Sequence, residues 1–98
     1  MKDKIKIIVE REFGTDNFIV DHNKDKEAIA RHVYVHLLIL HTNLSMDEIA
    51  EIIRRHRTTV YASLKASLSL LDDSRYRKKI LFCESKCENL FGGVKNNI

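Results

Sequence analysis

The chain has no proline, no tryptophan, only three glycines and only two cysteines in 98 residues. Without proline nothing obliges a helix to stop, and with so little glycine few positions take left-handed backbone freely, so long uninterrupted helices are expected. Two cysteines cannot build the disulfide framework of a small secreted domain. With no secretory leader pattern, they point to a reducing compartment, the cytoplasm. Even Leu37 to Leu40, an apolar run as long as any in the chain, falls far below the roughly 20 residues that cross a bilayer, and no membrane partner is expected. No Gly-rich loop ending in Lys-Ser or Lys-Thr occurs, so no ATPase motor and no nucleotide cofactor are expected. Repeats, low-complexity tracts and linkers are absent as well, which makes residues 1–98 one domain.

What is present is ordinary globular material: 44% hydrophobic, 32% charged and a net charge of +3. A chain of this length buries roughly 60–68% of its unfolded surface. The modest net charge does not single out a nucleic-acid binder, but its distribution is uneven. Arg54 to Lys65 contains no acid, whereas the first third of the chain mixes signs.

Hydrophobic spacing predicts an all-α, compact bundle of about five helices. Residues 2–13 place Ile5, Ile8, Val9 and Phe13 on one helical face, with Gly14 as the stop, although Ile5 to Val9 also suits a strand. Phe18, Ile19 and Val20 would dock the polar stretch that follows. A second helix over about 26–41 is apolar nearly all round and should lie at the centre. A third is expected over 45–53 and a fourth over 58–71. A fifth, over about 74–91, would be capped by Asp73 or Ser74 and ended by Gly92-Gly93. On the fourth helix Val60, Leu64, Leu68 and Leu71 are expected to face the core. Thr58, Ala62, Lys65, Ala66 and Ser69 would face out, with Thr59 at their edge.

Residues 44–60 carry the chemistry. Ser45 with Glu48 three residues on forms a capping box that satisfies backbone N–H groups at a helix start. Ile49, Ile52 and Ile53 supply an apolar face. Arg54, Arg55, His56 and Arg57 then follow, and Thr58-Thr59-Val60 opens the next helix. A helix start already offers free N–H groups and a positive dipole end, so added cations make it a phosphate-attracting spot. This is the pattern of a helix-turn-helix that sets its second helix in a DNA major groove, where slim outward side chains fit. The base-reading candidates are Arg57, Thr58 and Thr59, with His56 weaker. The phosphate candidates are Arg54, Arg55, Lys65, Ser45 and Tyr61.

These residues resemble the C-terminal DNA-binding domain of the bacterial replication initiator DnaA. Ala30-Arg31-His32-Val33 opens the second helix as in that family. Residues 44–50 resemble its Leu-Ser-Leu-Pro-Glu-Ile-Gly segment, and Arg55-His56-Arg57-Thr58-Thr59-Val60 sits where it has Arg-Asp-His-Thr-Thr-Val. The resemblance covers about residues 2–72. It implies double-stranded DNA as partner, a major-groove role for His56, Arg57, Thr58 and Thr59, and a part in replication initiation or transcription control. The chain departs from the family in three ways. Its turn is one residue shorter and has Arg54 in place of a glycine. The Asp-His pair has become His56-Arg57, which changes donors and acceptors at two reading positions, so the family's target sequence does not carry over by default. The minor-groove loop is Asn23-Lys24-Asp25-Lys26-Glu27, with acids interspersed.

Other constellations point to less. His32 and His36 lie one helical turn apart, as do Cys83 and Cys87, a spacing that suits zinc if the pairs faced each other. His36 is expected to point off the core stripe and the cysteines to be buried thiols, so no metal is assigned. Tyr34 and Tyr76 are expected in the core with their hydroxyls reaching solvent. No nucleophile–base pair or carboxylate dyad occurs, and no enzyme activity is expected. The seam of Tyr76, Ile80, Cys83, Cys87 and Leu90 has coiled-coil spacing and offers either a homodimer face or packing on the first helix. It also supports the rival function, a small helical protein-interaction module with no DNA role.

Overall fold

Helical periodicity governs the whole backbone. The computed structural model describes residues 2–15, 18–19 and 25–96, in which five helices follow in order. They are α1 (Lys2–Phe13), α2 (Asp25–His41), α3 (Met46–Ile53), α4 (Arg57–Leu70) and α5 (Ser74–Asn96). The protein is all-α; no strand occurs among the described residues. The Ile5 to Val9 stretch is helical, and Gly14 ends α1 with a φ of +65°, the left-handed backbone that glycine adopts without a Cβ clash. Asp73 caps α5 by accepting from the Arg75 backbone N–H at 3.0 Å.

Helix α2 is the hub and touches all the others. Ala30, Val33, Tyr34, Val35, Leu37 and Leu38 are all buried on it, which explains why its sequence is apolar nearly all round. Phe18 seals one side, edge-on to Tyr34 with ring centroids 5.2 Å apart. Tyr34 does not reach solvent as expected: its hydroxyl donates to the Lys2 carbonyl at 3.3 Å. Buried there beside Asp3 and Glu10, the phenol is pushed up to about 12.

Helix α5 lies against α1 and α2. Ile80, Cys83 and Cys87 are fully buried in the chain's own core. The seam read as a homodimer face is therefore occupied from within, and Leu90 alone of its residues is largely exposed. The helix also runs past Gly92-Gly93 to Asn96 instead of ending near 91. Glycine in a helix costs up to about 1 kcal/mol relative to alanine, yet its right-handed conformation stays allowed.

The largest departure concerns the rotation of α4. Its buried face is Val60, Ser63 and Ser67, while Leu68, expected inside, is 51% exposed. The reason lies on α2, where two histidines one turn apart need polar partners. His32 Nδ1 meets Ser63 Oγ at 3.0 Å, and His36 Nδ1 meets Ser67 Oγ at 3.2 Å. Unpaired imidazoles in a core cost more than one exposed leucine. The two contacts advance together along both helices, so α2 and α4 run in the same direction. His36 is buried, contrary to expectation, and its Nε2 reaches Glu84 Oε1 on α5 at 2.8 Å. That contact ties α5 to the α2–α4 pair.

Candidate nucleic-acid interface

The site is assembled by local hydrogen bonds that the chain makes with itself. At the start of α3 the Glu48 backbone N–H donates to Ser45 Oγ at 3.1 Å, and the Ser45 N–H donates to Glu48 Oε1 at 2.9 Å. The capping box is complete. Its bonds hold the Glu48 carboxyl below the usual carboxylate range, the Ser45 backbone N–H being the larger cause. Ile49, Ala50 and Ile53 are buried from the other side, so α3 is fixed both by its cap and by its apolar face.

The exit from α3 is unusual. Arg54 adopts φ 57° and ψ 45° and is the only non-glycine residue with positive φ among those described. The Arg54 N–H donates to the Glu51 carbonyl at 3.2 Å, and the Arg55 N–H donates to the Ala50 carbonyl at 3.0 Å. This is the double bond pattern of a Schellman turn, a position that glycine usually fills. Here an arginine carries the left-handed backbone that such a turn requires. Its side chain is exposed to solvent.

Arg55 behaves differently from its neighbours. Its Nη1 donates to the Ile53 carbonyl at 2.7 Å, to the Ile19 carbonyl at 2.9 Å and to the Arg54 carbonyl at 3.3 Å. The guanidinium satisfies carbonyls that the end of α3 would leave open and pins the segment at Phe18 and Ile19 beneath the turn. Arg55, expected at phosphate, thus has its Nη1 engaged by the chain's own carbonyls.

Helix α4 begins without a lid. His56 takes the N-cap position with no side-chain hydrogen bond, and the first turn holds no acid. Only from Thr59 and Val60 onward do backbone N–H groups bond back, both to the His56 carbonyl, so the N–H groups of Arg57 and Thr58 lie at the open end. His56, Arg57 and Thr58 are exposed and Thr59 is half-buried at the edge. Ala62, Lys65 and Ser69 continue the exposed face, with Ala66 half-buried beside it. Lys65 sits about 12 Å along the axis from Arg57 at 1.5 Å per residue.

Arg57 is held loosely on two sides. Its Nη2 donates to Tyr61 Oη at 3.4 Å, with the guanidinium carbon 5.9 Å from the ring centroid. Its Nη1 lies 3.7 Å from Asp47 Oδ1 on α3, with both side chains more than half exposed. The Tyr61 hydrogen bond, then the charges of Tyr61 and Asp47, raise the Arg57 pKa further above its ordinary value. This contact links the first turn of α3 to the first turn of α4. Asp47 was missed in the sequence because a first-turn acid reads simply as a helix-dipole residue.

Of the residues expected at the site, Arg54, His56, Arg57, Thr58 and Tyr61 are exposed around the turn and the first turns of α4, with Thr59 half-buried at its edge, Ser45 exposed at the start of α3 and Lys65 exposed further along α4. Of the segment 23–27, Asn23 and Lys24 lie outside the described residues and the rest opens α2. Glu27 is buried, with Oε1 accepting from Thr15 Oγ1 at 3.1 Å. The zinc geometry does not form. The histidines face serines and Glu84, Cys83 and Cys87 are free buried thiols, and the described residues hold no group of three or more such ligands placed for a metal. Burial pushes the Cys83 and Cys87 thiols up to about 12 and about 11. No helix among the described residues is long and apolar enough to cross a membrane. In comparisons with protein families, curated proteins and solved structures, the chain matches none.

Proposed function

We propose that this chain binds double-stranded DNA in a sequence-specific manner through a helix-turn-helix formed by α3, the Arg54–His56 turn and α4. In this reading it resembles the DnaA C-terminal domain, acts in the cytoplasm in control of replication initiation or transcription, and has no ATPase of its own. The supporting observation is the uncapped, acid-free start of α4, where His56, Arg57 and Thr58 are exposed to solvent and Arg54 is exposed in the preceding turn. Such an end is electrostatically suited to a polyanion and sterically suited to a groove. Arg57, Thr58 and Thr59, with His56, read bases. Arg54, Lys65 and the Ser45 corner contact phosphate and set register.

The test is an anisotropy titration at low salt with random duplex, followed by selection from a random duplex pool. Log affinity should fall against log salt by about 0.9 per phosphate neutralised. Arg57→Ala should cost roughly 1–3 kcal/mol on the selected duplex and relax its preference. No binding at micromolar protein refutes the proposal, and equal losses on selected and scrambled duplexes for Arg57→Ala refute its reading role. A second reading, a helical protein-interaction module, draws support from Leu68, Leu81 and Phe82, each about half exposed. In that case the basic turn is incidental.

A further inference from the structure

We propose that Asp47 and Tyr61 are specificity-determining residues that hold Arg57 for a guanine edge and against phosphate; this rests on the DNA-binding reading above. A free arginine at a helix mouth binds any phosphate oxygen within reach, which gives affinity without discrimination. Arg57 is not free in that sense. Tyr61, one turn along α4, receives a hydrogen bond from Nη2 at 3.4 Å and offers its ring face at 5.9 Å. Asp47 sets a carboxylate 3.7 Å from Nη1. Asp47 is itself anchored independently of Arg57, because it occupies the first turn of α3, where the helix dipole favours an acid.

The two partners act in different ways. Tyr61 restricts the rotamers of a long side chain before any ligand arrives, which lowers the ordering cost of forming a planar two-bond contact. Asp47 acts by repulsion. A phosphate approaching Arg57 must also approach the carboxylate, and that like-charge contact removes much of the gain. The O6 and N7 edge of guanine carries no net charge and presents two acceptors to the guanidinium fork, so it escapes the same penalty. Discrimination then comes from an element that disfavours the wrong ligand as well as one that favours the right ligand. Glu48, the next acid on α3, is engaged in the capping box and does not duplicate this role.

The experiment compares wild type, Asp47→Asn, Asp47→Glu, Tyr61→Phe and Tyr61→Ala on a duplex selected from a random pool and on its scrambled counterpart. Asp47→Asn should tighten scrambled duplex about three- to tenfold and the selected duplex less than about twofold, so the specificity ratio falls. Its salt slope on scrambled duplex should steepen by up to about 0.9 as Arg57 gains a phosphate. Asp47→Glu should keep the ratio within about twofold. Tyr61→Ala should weaken the selected duplex about three- to tenfold with little change on scrambled, and Tyr61→Phe should fall between it and wild type. Thermal midpoints for each variant separate misfolding from altered recognition. Equal tightening of both duplexes by Asp47→Asn, or no change in either, overturns the proposal while leaving DNA binding intact. A wild type that binds no duplex removes the DNA reading and this assignment together.

Discussion

Replacing Arg54 with glycine should make the fold more stable and weaken the DNA binding proposed above. Arg54 sits at φ 57° and ψ 45°, where an L side chain costs roughly 1–2 kcal/mol because Cβ crowds the carbonyl that follows. Glycine removes that strain but gives the unfolded chain more freedom, which returns roughly 0.5–1 kcal/mol. The Schellman bonds from Arg54 N–H to the Glu51 carbonyl and from Arg55 N–H to the Ala50 carbonyl use backbone alone and survive the change. The net gain is about 0.5–1 kcal/mol. An unfolding entropy of about 2.1 cal/mol/K per residue turns this into a rise of about 2–5 °C in melting temperature for a chain of this size. The exposed guanidinium is lost at the same time, so the slope of log affinity against log salt should shrink by about 0.9. Differential scanning calorimetry reads the first effect and a salt series of anisotropy titrations the second. A lower melting temperature would show that the left-handed position is not strained, or that the arginine side chain supports the turn. A higher melting temperature with an unchanged salt slope would remove Arg54 from the phosphate contacts.

Arg55→Ala should do the reverse. It strips the carbonyls of Ile53 and Ile19 of a charged donor, lowering stability in urea titration by roughly 1.5–3 kcal/mol. Its salt slope should stay unchanged; a slope reduced by a full unit would give Arg55 a phosphate contact instead. Stability should also decline at both ends of the pH scale. Burial, aided by the charge of Arg31, lowers the His32 pKa below its ordinary 6.5, so its contribution is present above that value. It is lost as pH falls through the folded-state pKa, because the unfolded state takes up the proton first. At the alkaline end Cys83, Cys87 and Tyr34 are raised to about 12, 11 and 12 from ordinary values of 9.0, 9.0 and 10.0. Their contributions hold below the ordinary values and disappear between about 9 and 12. Thermal melts across pH should therefore fall below about 6.5 and above about 9. A His32→Gln variant whose acid limb matches that of wild type would contradict the assignment.

The parts of this protein that sequence alone determined are those governed by residues within one helical turn of each other. The Ser45–Glu48 box, the Gly14 stop and the Asp73 cap need no knowledge of the rest of the chain. The same holds for the helical periodicity of α2 to α4, because apolar spacing of 3.6 residues is carried by near neighbours, whereas Ile5 to Val9 on α1 also suited a strand. The outward face of α4, with Thr58, Ala62 and Lys65, was legible for the same reason. Tertiary structure decided what each side chain does once helices meet. Leu68 faces solvent and Ser63 and Ser67 face inward because His32 and His36 on α2 demand polar partners there, and no pattern confined to α4 carries that demand. Arg54, Arg55 and Arg57 look equivalent as a run, yet one takes left-handed backbone, one ties carbonyls from two segments, and one rests between Tyr61 and Asp47. The seam on α5 could have met a second copy or its own core; α1 and α2 lie within reach and bury it. A contact between residues far apart in the chain depends on where the whole backbone goes, and that is settled only when all the helices pack together.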